Sequence, residues 1–150
     1  VSKQIGLDRD LFGASFTKIR SAVDAAAAND GKALRFAALV LERHMKLQLS
    51  HPGSGRVYRR GGHTHQASAP GESPAPDTGT LRASIGSEVV ANGIRVGTNL
   101  EYGADLEFGT LDDGGFIAPR PWARPAAASA RDEMGQAFVG ELRSDVRGRT

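Results

Sequence analysis

Residues 84–98 read Ser84-Ile85-Gly86-Ser87-Glu88-Val89-Val90-Ala91-Asn92-Gly93-Ile94-Arg95-Val96-Gly97-Thr98. Two candidate strands, 85–91 and Ile94-Arg95-Val96 with its in-out alternation, flank Asn92-Gly93. That dipeptide is the strongest short-range hairpin signal, because both residues of the favoured two-residue turn need positive φ. A β-hairpin therefore stands at the centre of the chain, and the rest is read outward from it.

Towards the N-terminus, Phe12, Phe16, Ile19, Val23 and Ala26 recur at spacings of three and four, which predicts a helix over about 8–28. Asn29-Asp30-Gly31 stops it. A second helix is predicted over 32–49, with Leu34, Ala37, Ala38, Leu41 and Met45 on one face and Phe36, Val40 and Leu47 widening it. So broad an apolar arc calls for cover on more than one side, from the first helix and from a sheet or a neighbouring subunit.

Towards the C-terminus, 99–108 reads as a short helix in which Asn99 can cap, Tyr102 and Leu106 pair at i, i+4, and Gly109 supplies the stop. A turn-rich loop (Leu111-Asp112-Asp113-Gly114-Gly115) comes next. Pro119-Arg120-Pro121-Trp122 is rigid and extended, and Pro125 suits the first turn of a long last helix running to about Val146. Its stripe is Ala127, Ala130, Met134, Phe138, Leu142 and Val146. The sum is an α+β domain: a small antiparallel β-sheet with a β-hairpin, packed by two N-terminal helices and one long C-terminal helix.

Between the second helix and the hairpin, 51–77 changes character. Nine of its 27 residues are Gly or Pro, large aliphatics are almost absent, and Arg56, Arg59 and Arg60 cluster around Tyr58. It is expected to be a long loop inside the domain, too poor in apolar surface to order itself and therefore functional or ordered by a partner.

The 150 residues make one domain's worth of sequence, read as a single unit over 1–150. With no cysteine, disulfide scaffolds, zinc ribbons and thiol catalysis are excluded. No run of about 18 apolar residues spans a membrane, and the first 20 residues lack the apolar core of a signal peptide. A soluble protein made in a cytoplasm, with no membrane partner, is expected. Net charge is only +2, yet residues 1–50 carry 8 basic and 5 acidic side chains whereas 78–120 carry 3 and 6. That polarity suits head-to-tail self-association better than a nucleic-acid grip.

Three clusters could carry chemistry. His63 and His65, with His51 and His44 elsewhere, resemble metal ligands, but a Gly-rich loop holds no rigid third and fourth ligand, so solvated histidines are the expectation and no metal or other cofactor is assigned. Glu101 and Asp105 could share a helix face as acid and base, yet no histidine, serine nucleophile or phosphate loop stands beside them, and acidic contact with a basic patch on another subunit is the better reading. No catalytic residue is assigned. Arg56, Arg59 and Arg60 have the composition of a DNA-contacting segment, with only modest, salt-sensitive affinity expected from three arginines.

Three stretches in order resemble a known signature: Ser68-Ala69-Pro70-Gly71-Glu72-Ser73-Pro74-Ala75 with Asp77-Thr78-Gly79-Thr80-Leu81-Arg82-Ala83-Ser84-Ile85; then Val96-Gly97-Thr98-Asn99 with Tyr102-Gly103-Ala104-Asp105-Leu106-Glu107-Phe108-Gly109-Thr110; then Ala118-Pro119-Arg120-Pro121-Trp122. They are similar to the "SAPGexPaxdTGxLrxSI", "vGtn, YAxylEfGT" and "aRPf" runs of the gene-product-ten-like neck and tail-completion family of long-tailed phages, whose role resembles that of lambda's minor tail protein Z. The likeness spans about 30–147. Gly103 stands where the family commonly has Ala, which lowers helix propensity there.

The resemblance implies a structural virion protein that closes a homo-oligomeric ring, of six copies, at the head-proximal end of the tail. Its partners would be the tail terminator, tail tube and head-closure or connector proteins, with passing contact to packaged DNA and assembly in the host cytoplasm. A tail terminator or head-closure protein is the alternative; a free DNA-contacting module or a hydrolase fits less well. Pro70, Thr78, Gly79, Leu81, Tyr102, Glu107, Phe108, Gly109, Arg120, Pro121 and Trp122 are then scaffold or interface residues, with Phe108 an apolar plug and Trp122 a core or interface anchor.

Overall fold

The computed structural model describes residues 31–91, 93–112 and 115–148. The helix expected over 8–28 lies outside the described residues. In order, the elements are α1 (Lys32–Gln48), β1 (Val57–Arg60), β2 (His63–Gln66), α2 (Thr80–Ser84), β3 (Gly86–Val90), β4 (Gly93–Gly97), α3 (Tyr102–Phe108), β5 (Thr110–Asp112), β6 (Gly115–Ile117) and α4 (Ala123–Gly148). The class is α+β, with the long C-terminal helix in place. The strands make three separate antiparallel pairs, β1-β2, β3-β4 and β5-β6, rather than one sheet.

Helix α1 begins at Gly31, whose left-handed φ of 68° reverses the chain while its carbonyl accepts the Arg35 N–H at 2.9 Å. Leu34, Ala37, Ala38, Leu41 and Met45 form its buried face. They meet Ala126, Ala127, Ala130 and Phe138 of α4, whose alanines allow a close approach of the two helices, with Ile85, Val96 and Trp122 completing the core. No helix among the described residues is long and apolar enough to cross a membrane.

The central hairpin is present, with its turn one residue earlier than expected and its cross-strand pairing therefore shifted by two. Val90 pairs with Gly93, so the two connecting residues are 91 and 92 rather than Asn92-Gly93. The slide leaves the same faces inward and brings Glu88 directly opposite Arg95, where the two form an ion pair at 2.6 Å. Cross-strand pairing of this kind is what the expected register would have forfeited. Val96 is buried on the inner face, and Ser87 opposite it donates to Glu42 of α1 at 2.6 Å.

The reading of 51–77 as a loop without order of its own is corrected. Gly61 and Gly62, at φ 51° and 87°, turn β1 back onto β2, a Gly-Gly hairpin made by backbone pairing and not by apolar burial. Beyond it the chain returns across the start of α4. Gly71 N–H donates to Pro119 O at 2.9 Å, Ser73 Oγ to Pro121 O at 2.7 Å and Gln48 Nε2 to Ser73 Oγ at 2.7 Å, and Ser68 and Pro74 are buried. A second correction falls at 110–117, read as a turn-rich loop. It is the hairpin β5-β6, with Leu111 directly opposite Phe116.

Candidate functional site

The resembling motifs meet at the start of α4. A helix N-terminus leaves its first backbone N–H groups without intrahelical partners. Here Glu107, from the last turn of α3 and fully buried, supplies them. Its Oε2 accepts the N–H of Trp122 at 2.6 Å and of Ala123 at 2.8 Å; its Oε1 accepts the Arg124 N–H at 3.2 Å and the Arg124 Nε at 2.9 Å. A carboxylate at that end also complements the helix dipole. One side chain thus caps a helix 15 residues downstream.

Trp122 packs beside it with no exposed surface and donates its indole N–H to Gly103 O at 3.0 Å. Gly103 is a close-approach position: an added Cβ would lie 2.5 Å from Thr98 Cγ2 and 3.7 Å from the Trp122 ring. Its role is therefore packing room, beyond the helix propensity read from sequence. Gly109 serves the same joint. It adopts φ 72°, and a Cβ there would lie 2.7 Å from Ile117 O and 2.9 Å from Pro119 Cδ. Arg120 N–H donates to Leu106 O at 2.6 Å, and its side chain reaches Ala118 O at 3.2 Å and Ser68 O at 3.4 Å. Residues 68–73, 103–109 and 118–124 are thereby locked into one unit.

Glu107, Gly109, Arg120, Pro121 and Trp122 are brought together there. Leu81 is half-buried against the main core, next to Gly79, which takes φ 76° at the N-terminus of α2. Pro70, Thr78 and Tyr102 are exposed. Phe108 is not a plug: it is 56% exposed, with the Arg124 guanidinium 5.4 Å from its ring centroid. Glu107 occupies the inward position, so the next residue on the helix is rotated outward by about 100°. The sequence reading missed Arg124, which bridges Glu107 and Phe108, and Ser73.

Outward of this joint lies an acidic and apolar face. Glu101, Asp105 and Phe108 recur at i, i+4 and i+7, and the stripe leads into β5-β6, where Leu111 is 82% and Phe116 71% exposed. A second surface lies on α1. Lys32, Arg35, Phe36 and Leu39 are exposed there, beside a groove of about 430 Å³ lined by Arg35, Ala38, Leu39, Ser87, Glu88 and Val89. Its cations are basic where the first face is acidic.

His63 and His65 sit on β2, and the acid nearest to His65 is Asp77, at 3.8 Å. Among the described residues no group of three or more His, Asp or Glu side chains could hold a metal ion. His44 has a different setting, between α1 and α4. Its Nδ1 lies 3.1 Å from Ser129 Oγ and its Nε2 2.9 Å from Glu133 Oε2. Ser129 Oγ also lies 3.0 Å from Ala126 O, an acceptor for its hydroxyl proton. The hydrogen bond from His44, reinforced by the charge of Arg43, holds the Glu133 carboxyl below the usual range. The cluster ties two helices together.

No family model matches this chain, and no curated protein or solved structure is similar to it.

Proposed function

We propose that the chain is a structural subunit that joins copies of itself head to tail into a ring, the ring forming part of the head–tail junction of a long-tailed phage. One observation carries the reading: two surfaces, one acidic and apolar on α3 and β5-β6, the other bearing Lys32, Arg35, Phe36 and Leu39 on α1, are both exposed among the described residues and complement each other in charge. A heterologous contact between such faces closes a ring when the rotation per copy divides a full turn. Six copies match the six-fold symmetry of long tails. The buried joint around Glu107 supports the reading, because it ties down the base of the β5-β6 hairpin and occupies Glu107, Gly109, Arg120 and Trp122 with structural contacts.

The virion location, and the tail terminator, tail tube and head-closure proteins as neighbours, rest on the motif resemblance. Its test is particle assembly. In a phage or prophage carrying this gene, deletion is expected to leave DNA-filled heads and complete tails that fail to join, seen by electron microscopy, with joining restored by the parent chain but not by a Leu111→Asp, Phe116→Asp double variant. Joined, infectious particles from the deletion strain would refute the proposal.

A further inference from the structure

Hairpin β1-β2 belongs to neither complementary face. Side chains alternate along a strand, and directly paired residues share a face. The register pairs Tyr58 with His65, and His63 stands two residues from His65 on β2, so these three share one face, while Val57, Arg59, Thr64 and Gln66 share the other. The Arg56 guanidinium lies 5.4 Å from the Tyr58 ring centroid, on the Tyr58 side. Arg56 and Arg59, which the sequence groups together, are thus divided. Arg56 belongs with an exposed aromatic ring and two imidazoles; Arg59 belongs with a neutral face.

No Asp or Glu occurs anywhere from 51 to 71. Asp77, 3.8 Å from His65, is the acid at the edge of the cationic face. Tyr58 is 47% exposed and Val57 55%, so the finger projects its side chains instead of burying them. A flat array of guanidinium, phenol and imidazole groups supplies charge for phosphate oxygens, donors for the same oxygens and a ring for a base. A two-stranded ribbon is also narrow enough for the major groove of duplex DNA, about 12 Å wide.

We propose that the β1-β2 finger binds the phosphodiester backbone of nucleic acid through one face only, that of Arg56, Tyr58, His63 and His65. The inference goes beyond the ring reading and does not need it, since the isolated full chain is the reagent and a chain that never joins heads to tails still passes or fails. The probes are a fluorescein-labelled 20-mer as single strand and as duplex, titrated by fluorescence anisotropy at several salt concentrations.

Arg56→Ala is expected to weaken binding about five- to ten-fold and to reduce the slope of log K against log salt by about 0.7 on the single strand and about 0.9 on the duplex. Arg59→Ala removes the same charge from the opposite face and is expected to stay within about two-fold. Tyr58→Ala separates the two sources of backbone: a loss confined to the single strand assigns stacking on an unpaired base, and an equal loss on both assigns contact in the duplex groove. Equal losses for Arg56→Ala and Arg59→Ala would overturn the one-sided face, and absence of binding by the parent chain would overturn the proposal outright. All three side chains are exposed, so unchanged thermal melting of the variants shows that folding is not what is being read.

Discussion

Glu107→Ala is expected to cost about 3–5 kcal/mol of stability, because it strands buried donors that have no other partner. The Trp122 and Ala123 N–H groups both end on Glu107 Oε2 in a buried setting, and each buried donor left unsatisfied costs about 1–3 kcal/mol. Loss of the helix cap adds about 1 kcal/mol. Glu107→Gln keeps one acceptor oxygen and the side-chain volume, so it is expected to cost about 1–2 kcal/mol, with the damage concentrated at Arg124. Urea unfolding of both variants, read at unchanged m, measures the difference. A Glu107→Ala midpoint equivalent to less than about 1 kcal/mol from the parent would show that water replaces the carboxylate without penalty.

The second large effect belongs to Trp122. Truncating a fully buried tryptophan to Ala typically costs about 3–5 kcal/mol, and Trp122 has no exposed surface. In a chain of this length that lowers the melting temperature by roughly 10 °C. Phe108→Ala, at a position 56% exposed, is expected to cost under about 1 kcal/mol. The two aromatics therefore separate in calorimetry although the sequence motifs present both as anchors. Equal losses at the two positions would mean that the Phe108 ring is covered in the protein as studied.

The helical core was legible because its signal is periodic. Leu34, Ala37, Ala38, Leu41 and Met45 fall on one stripe in sequence and on one buried face in the fold. The central hairpin was legible from Asn92-Gly93, but its register was not, since sliding the strands leaves the same residues inward and only the Glu88–Arg95 pair tells the two registers apart. The β1-β2 finger was missed because its strands bury almost nothing; Gly61-Gly62 was the available signal, and low apolar content outweighed it. Glu107 could be placed in a motif but not given its task, because its partners lie 15–17 residues away and are backbone groups, which carry no residue identity. Phe108 was misplaced for a related reason. Next to a buried carboxylate the apolar residue is the one turned to solvent, the reverse of what hydrophobicity alone suggests.

The contact between the two complementary faces is open to a direct measurement, since the chain contains no cysteine. Leu39→Cys on the α1 face and Phe116→Cys on β5-β6 would be made separately, mixed and oxidised mildly, with Ser144→Cys as the control position. Head-to-tail association predicts that the mixed 39–116 disulfide forms at least ten-fold faster than 39–39, 116–116 or any pair involving 144, and that a chain carrying both cysteines gives a ladder of covalent multimers ending in a closed species. Same-site disulfides in excess, a 39–116 bond confined within one chain, or mixed pairs no faster than the 144 control would contradict the ring-forming contact.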